Sequence, residues 1–212
     1  MIISDFFGMI ANFILFVINA LGYAGVFVMM VLESMVFPAP SELIMPFAGY
    51  IAYQGNFNLV FVIVISTIGS ITGSLFSYYI GKKWGYNLVE SYGKYFLVTH
   101  EDLKKTVSWF SRRGEITIFL SRLVPVVRHL ISIVAGVGKM DVKKFSLYTI
   151  FGAAIWNSLL AYLGFLLGQH WDQVTKYADE ISIVVIVLLV VGCLYFAYMH
   201  LSKKRNPKKT KQ

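Results

Sequence analysis

Residues 6–81 carry two charged side chains in 76 positions, Glu33 and Glu42. No water-soluble core tolerates so long a stretch without charge. Uncharged runs cover 6–32, 43–81, 145–171 and 181–202, each longer than the ~18–20 apolar residues that cross a bilayer as a helix. Soluble domains are about one quarter charged, whereas this chain is 14% charged. The expected fold class is an all-α polytopic membrane protein, and a soluble enzyme built on one core is excluded.

The net charge of +8 does not point to nucleic acid, because six basic residues are gathered in one tail: Lys203, Lys204, Arg205, Lys208, Lys209 and Lys211. Basic residues directly after a hydrophobic helix are what a cytoplasmic flank carries, and there they meet anionic membrane lipids. The single cysteine, Cys193, has no partner for a disulfide or a metal site. No Lys or Arg precedes Lys82, so the basic start of a cleavable signal peptide is missing. The chain has no His-Glu-x-x-His, Gly-x-Ser-x-Gly, P-loop or cysteine cluster. The expectation is a protein that is not an enzyme and needs no cofactor or metal.

Loop charges set an orientation in the cytoplasmic membrane, with the C-terminus and the tail 203–212 inside. The helix 181–202 then leads outward to an acid-rich linker with Asp172, Asp179 and Glu180. The span 145–171 returns to a basic inner loop of Lys139, Lys143 and Lys144. The stretch 86–113, with Lys94, Lys104, Lys105, Arg112 and Arg113, is a cytoplasmic linker. Its Thr99-x-x-Asp102 start, its apolar Leu103, Val107 and Phe110 and its end at Gly114 predict an amphipathic helix. Segment 114–138 therefore starts and ends on the same side, which predicts a re-entrant hairpin turning near Pro125. Segment 58–82 is a span, and 22–54 is a second hairpin, entered from outside. Its Pro38, Pro40 and Pro46 cannot sit in one straight helix, and the turn falls at 37–41. Residues 1–21 form an interfacial or spanning helix; the sequence leaves both open.

An offset of 87 positions supports two repeats, 22–85 and 114–171. It aligns Pro38 with Pro125, Leu43-Ile44 with Leu130-Ile131, Ala48-Gly49 with Ala135-Gly136, Gly81 with Gly168 and Trp84 with Trp171. With the hairpins on opposite faces, the repeats are inverted. Secondary transporters are built this way, with sites near the midplane where the repeats meet.

Glu33 and Glu42 fall in the first hairpin, Arg122 and Arg128 in the second. Ionisable residues at membrane depth cost about 2.5–3.5 kcal/mol each on insertion scales and mark function by default. Arginine offers a phosphate a planar, two-pronged donor. Burial disfavours the charged form of a carboxylate, so such acids can carry protons. The set reads as an anionic-headgroup site, Arg122 and Arg128, with proton-coupling or charge-pairing acids, Glu33 and Glu42. Two salt bridges tying the hairpins together are the structural alternative, but buried ion pairs stabilise less than apolar packing. His129, beside Arg128, is an accessory candidate for moving a proton. Pro38, Pro40, Gly49, Pro125 and Gly136 read as turn and packing positions. Ser66, Gly69, Gly73 and Ser77 put small residues on one face of the first span, which close helix packing explains.

At these residues the chain resembles the DedA family, the VTT or SNARE-associated membrane proteins. Glu33, Pro38-Ala39-Pro40-Ser41-Glu42 and Ala48-Gly49 resemble its first signature. Phe119-x-x-Arg122-x-x-Pro125-x-x-Arg128, followed by Ala135-Gly136 and Met140, resembles its second. Gly152-x-x-x-Trp156 and Gly164-x-x-x-Gly168 continue the match, which covers about residues 22–170. Ser74 departs from it, standing where many members carry an acid. The resemblance implies opposed re-entrant hairpins, essential acids at Glu33 and Glu42 and essential arginines at Arg122 and Arg128. It also implies transport of a lipid driven by the proton-motive force, chiefly undecaprenyl phosphate or another polyprenyl phosphate, and in other members phosphatidylethanolamine.

The expected function is a proton-linked transporter that flips an anionic lipid carrier, with lipid and protons as its partners. The alternatives are a phospholipid flippase or scramblase, a proton-coupled carrier of a small ion or drug, and a scaffold acting through the basic tail. A homo-oligomer is compatible with the sequence, which does not specify one.

Overall fold

The computed structural model describes residues 2–35, 41–96 and 100–170, all helix and connections, with no strand among them. The order is α1 Ile2–Leu21, α2 Tyr23–Ser34, α3 Ser41–Tyr53, α4 Leu59–Phe96, α5 His100–Ser121, α6 Pro125–Val137 and α7 Val142–Leu166, ending in a 3-10 turn, Leu167–His170. Pro38 and Pro40 with the turn expected there, the expected linker 172–180, the expected helix 181–202 with Cys193, and the tail 203–212 lie outside the described residues.

Local chemistry accounts for most boundaries. Gly22 separates α1 from α2 at φ +60°, a conformation that costs a residue without Cβ nothing. Val124 is extended and Pro125 opens α6, since proline's ring disfavours helix in the residue before it and suits the first helical turn. The Asp141 side chain accepts a hydrogen bond of 3.0 Å from the Lys144 backbone N–H and so starts α7. Pro46 sits inside α3 and leaves one carbonyl of the preceding turn without its helical donor.

Among the described residues, two helices are long and apolar enough to cross a membrane, within Leu59–Gly85 and Val142–His170. α4 does not stop near Lys82, where the sequence places the end of its span; it runs on to Phe96. Lysine is a good helix former, so a change from apolar to polar residues marks a water boundary without ending a helix. The predicted helix end at Gly114 is likewise a bend. Arg113 leaves helical geometry at φ −136°, and α5 continues to Ser121. Along α7, Leu147, Phe151, Ile155, Leu159 and Tyr162 are all about half exposed, and their spacing of three or four residues forms one apolar stripe. An outward apolar stripe with buried small and polar residues opposite it suits a helix bathed in lipid.

Packing pairs the helices crosswise. α2 lies on α4, where Gly69 and Gly73 admit the carbonyls of Phe27 and Val31. α3 crosses α7, with Gly49 against Ala161 and Phe165, and Gly164 against Pro46. α6 crosses α4, with Gly136 against Tyr78 and Lys82, and Gly81 against Ile133. The last two crossings correspond. Pro46 and Ile133 keep the offset of 87, but their glycine partners, Gly164 and Gly81, are 83 apart. The gapless pairing of Gly81 with Gly168 is therefore corrected by four residues, about one helical turn. The slip arises in the connections, because α7 begins 83 positions after α4, Val142 against Leu59.

A Cβ at Gly136 would sit inside contact distance of the Tyr78 carbonyl oxygen and 2.8 Å from the Lys82 nitrogen. Backbone cannot give way as a side-chain tip can. Gly136→Ala should cost about 1–3 kcal/mol, and Gly49→Ala, facing Ala161 in the same manner, a similar amount. Unfolding in detergent micelles checks this, and unchanged stability in both variants would refute the crossings.

Candidate functional site

Two apolar clusters occupy the helical body. One contains Ile18, Met29, Ile44, Met45 and Val62; the other contains Tyr78, Phe110, Ile118 and Phe145. α4 contributes Val62 to the first and Tyr78 to the second. Between them on the same helix stand Ser66, Ser70 and Ser74, each fully buried. Polar side chains from the neighbouring helices converge on that row.

Arg122 follows α5 in the tight turn that leads to Pro125. Its guanidinium is 2% exposed. One terminal nitrogen donates to Ser74 Oγ at 2.9 Å and to Ser132 Oγ at 2.9 Å, and reaches Thr149 Oγ1 at 3.4 Å. Gly152 makes room for the stem: a Cβ there would lie 2.8 Å from Arg122 Cβ and 3.0 Å from Cγ. Arg128, on the first turn of α6 and also 2% exposed, pairs with Glu33 at 2.8 Å. Glu33 is 1% exposed in the last turn of α2. Ser34 Oγ donates to its second oxygen at 2.9 Å, and Ser77 Oγ fixes that turn by donating to the Ser34 carbonyl at 3.1 Å. The Arg128 guanidinium also stands 5.9 Å from the Trp156 ring centroid, a cation–π distance. Asn157 Nδ2 extends the polar row, donating to Ser66 Oγ at 3.2 Å and Ser70 Oγ at 3.4 Å.

The cluster leaves polar atoms of both kinds unmet: Asn157 Oδ1 is a buried acceptor with no hydrogen-bond partner among the described residues, and three donors are in the same position. Arg122 Nε, Arg128 Nη1 and Trp156 Nε1 are buried donors with no hydrogen-bond partner among the described residues. Such groups are rare in folded proteins, and each calls for an explanation. Three unmet donors on or beside two guanidiniums can take an oxyanion.

The structure therefore brings together Glu33, Arg122 and Arg128, with one ion pair among them. Two acids matched to two arginines is not the arrangement. Glu42 lies on the first turn of α3, makes no ion pair among the described residues, and has a buried Oε1 without a partner. Gly49 and Gly136 serve as close-packing positions. Pro125 starts α6. The backbone of His129 lies in α6, and its side chain is outside the described part. Sequence reasoning missed Ser74, Ser132, Thr149 and Asn157 as polar partners, and took Trp156 only as a motif residue. A signal was present: Ser66, Ser70 and Ser74 recur every fourth residue on one helical face, and Asn157 is the one amide side chain in α7. Among the described residues, no three His, Cys, Asp or Glu side chains gather where a metal ion could be held.

The VTT domain family model matches residues 38–166, more than half of the chain. The chain is 33% identical over 190 residues to undecaprenyl phosphate transporter A of Bacillus subtilis, covering 89% of this chain and 94% of that protein. It is 31% identical over 195 residues to undecaprenyl phosphate transporter A of Staphylococcus aureus, covering 90% and 96%. An alkaline phosphatase-like protein of Lactococcus lactis is 34% identical over 197 residues, covering 91% and 92%. No solved structure matches. The match to the domain model and the near full-length relatives agree with the signatures around Glu33, Arg122 and Arg128: this chain belongs to the VTT-domain, or DedA, family of membrane proteins.

Proposed function

We propose that this protein carries a polyprenyl phosphate such as undecaprenyl phosphate across the cytoplasmic membrane, with Arg122 and Arg128 holding the phosphate. The carrying observation is the pair of unmet guanidinium donors: one carboxylate pairs with Arg128 and none with Arg122, and Arg122 Nε and Arg128 Nη1 have no hydrogen-bond partner among the described residues. The two relatives named as undecaprenyl phosphate transporters support this substrate.

In this reading α2–α3 and α5–α6 are two re-entrant hairpins entering from opposite faces, α4 and α7 are the spans of two inverted repeats, and the C-terminus is cytoplasmic. The crosswise packing of α3 on α7 and α6 on α4 supports it. The prenyl chain stays in lipid, and only the headgroup enters the polar row. A phosphate reaching Arg128 competes with Glu33 for it. Protonation of Glu33 removes that competition, which links headgroup binding to proton uptake. Glu42 supplies a second acid beside the entry to α3.

The test is reconstitution in liposomes with labelled polyprenyl phosphate or labelled phosphatidylethanolamine, with and without a pH gradient. Polyprenyl phosphate flux that follows the gradient is the expected result. Equal flux of both lipids without regard to the gradient would mean a scramblase. Absence of flux for either would refute lipid transport.

A further inference from the structure

Two guanidiniums face one carboxylate in this cluster, and the surplus positive charge falls on Arg122. The partners of Arg122 are three hydroxyls from three helices, Ser74 of α4, Ser132 of α6 and Thr149 of α7, all on one nitrogen. No carboxylate among the described residues pairs with it. Dipoles alone are a poor exchange for water around a buried cation, and apolar packing would serve stability better. Each hydroxyl accepts from Arg122, so its own hydrogen is left to donate. None of the three makes another hydrogen bond among the described residues. Three hydroxyl hydrogens and the unpartnered Nε–H thus leave four donors at Arg122, whose charged neighbours are Arg128 and Glu33.

Resting on the headgroup reading above, we infer that Ser74, Ser132 and Thr149 are headgroup-binding residues, and that with Arg122 they select a terminal phosphate monoester over a zwitterionic phosphodiester. A monoester brings close to two negative charges at pH 8 and three acceptor oxygens, which match a surplus cation ringed by donors. A phosphodiester has fewer free oxygens and a single negative charge. An ethanolamine headgroup also carries an ammonium, which two guanidiniums repel. Position 74 sets the charge of the pocket. A carboxylate there would pair with Arg122 and cancel the surplus, whereas an amide of the same size would leave it.

Ser74→Asp and Ser74→Asn therefore differ by one charge at constant volume. The full-length protein in detergent at pH 8 is titrated with farnesyl phosphate or with dihexanoyl phosphatidylethanolamine, reading affinity and unfolding temperature. Wild type should bind farnesyl phosphate at least roughly tenfold more tightly than the zwitterion, as for charge-assisted against opposed contacts. Ser74→Asn should bind farnesyl phosphate more weakly than wild type, having lost the hydroxyl donor, and Ser74→Asp should bind it at least about tenfold more weakly than Ser74→Asn, having also lost the surplus charge. The ligand-free aspartate variant should unfold no lower than wild type, because its new carboxylate compensates a buried cation. If Ser74→Asp does not fold, Ser132→Asp and Ser132→Asn reach the same nitrogen from α6 and repeat the comparison. Equal binding in the aspartate and asparagine variants overturns the inference alone, as does equal wild-type affinity for the two lipids. If wild type binds neither probe, the headgroup reading falls and this inference with it.

Discussion

Arg128→Ala loses polyprenyl phosphate flux to background and destabilises the protein by about 3–5 kcal/mol, the usual penalty for leaving one member of a buried ion pair alone. The stranded group is Glu33, 1% exposed and held to Arg128 at 2.8 Å. Ser34 Oγ would still donate to it at 2.9 Å, but that neutral donor does not replace the lost cation. Loss of flux in this variant would by itself be ambiguous, since misfolding gives the same result. The double variant Glu33→Gln/Arg128→Met resolves it. Replacing both charges with neutral groups of similar size should restore most of the lost stability, because a buried pair and its isosteric replacement are often close in free energy. Flux should stay at background, because the guanidinium is gone. The measurement is a double-mutant cycle with unfolding free energy and liposome flux read on the same four proteins. Recovery of both stability and flux in the double variant would make the Glu33–Arg128 pair a structural strut and remove Arg128 from the headgroup site. A further separation comes from Glu33→Gln alone. It keeps a hydrogen-bonding partner for Arg128 but cannot ionise, so flux should persist in part and lose its response to a pH gradient.

These arguments depend unevenly on what the residue pattern discloses. The long uncharged runs and the isolated Glu33, Arg122 and Arg128 are visible because charge is rare in such a chain, so every exception stands out. Prolines mark the interruptions for the same reason: Pro125 does open α6, and Pro46 is absorbed inside α3. Pairing is another matter. Nothing in a linear pattern says which acid reaches which arginine, and the count of two against two suggested two bridges, of which the described residues make one, Glu33 with Arg128. Arg122 is held by hydroxyls on residues 48, 10 and 27 positions away. Serine and threonine are common in membrane helices as packing residues and local hydrogen-bonders. Ser66 does both here, donating to the Ile63 carbonyl while accepting from Asn157. The same residue type therefore donates to a neighbouring helix end at Ser77 and holds a cation at Ser74, and only the tertiary crossing distinguishes them. The one-turn slip has a similar origin: Gly81 stands 87 positions before Gly168 and 83 before Gly164, so a gapless comparison through the prolines selects the wrong glycine.

Arg122→Met should separate stability from transport more sharply than any other single change: flux falls to background while the protein becomes no less stable. Methionine retains the length of the stem that packs against Gly152, and it removes a cation that no carboxylate compensates among the described residues. It also releases Ser74, Ser132 and Thr149 from that cation. Within a helix, serine and threonine can turn to the carbonyl of the preceding turn, as Thr67 already does at 2.7 Å to Ile63. The hydroxyls therefore need not be stranded, and the loss of three hydrogen bonds is offset by the loss of a buried charge. Arg122→Lys is the complementary control. Its ammonium keeps the charge but lacks the planar fork, so it cannot hold its place among the three hydroxyls while presenting a second nitrogen to a phosphate. Headgroup affinity should drop, and flux should fall well below wild type but stay above the methionine variant. Unfolding temperature in detergent and flux in liposomes, measured on the two variants beside wild type, decide the matter. A methionine variant that unfolds at markedly lower temperature would show that Arg122 organises the helices. One that remains folded and inactive would show a charge kept in the bilayer at the expense of stability, which is the mark of a binding site.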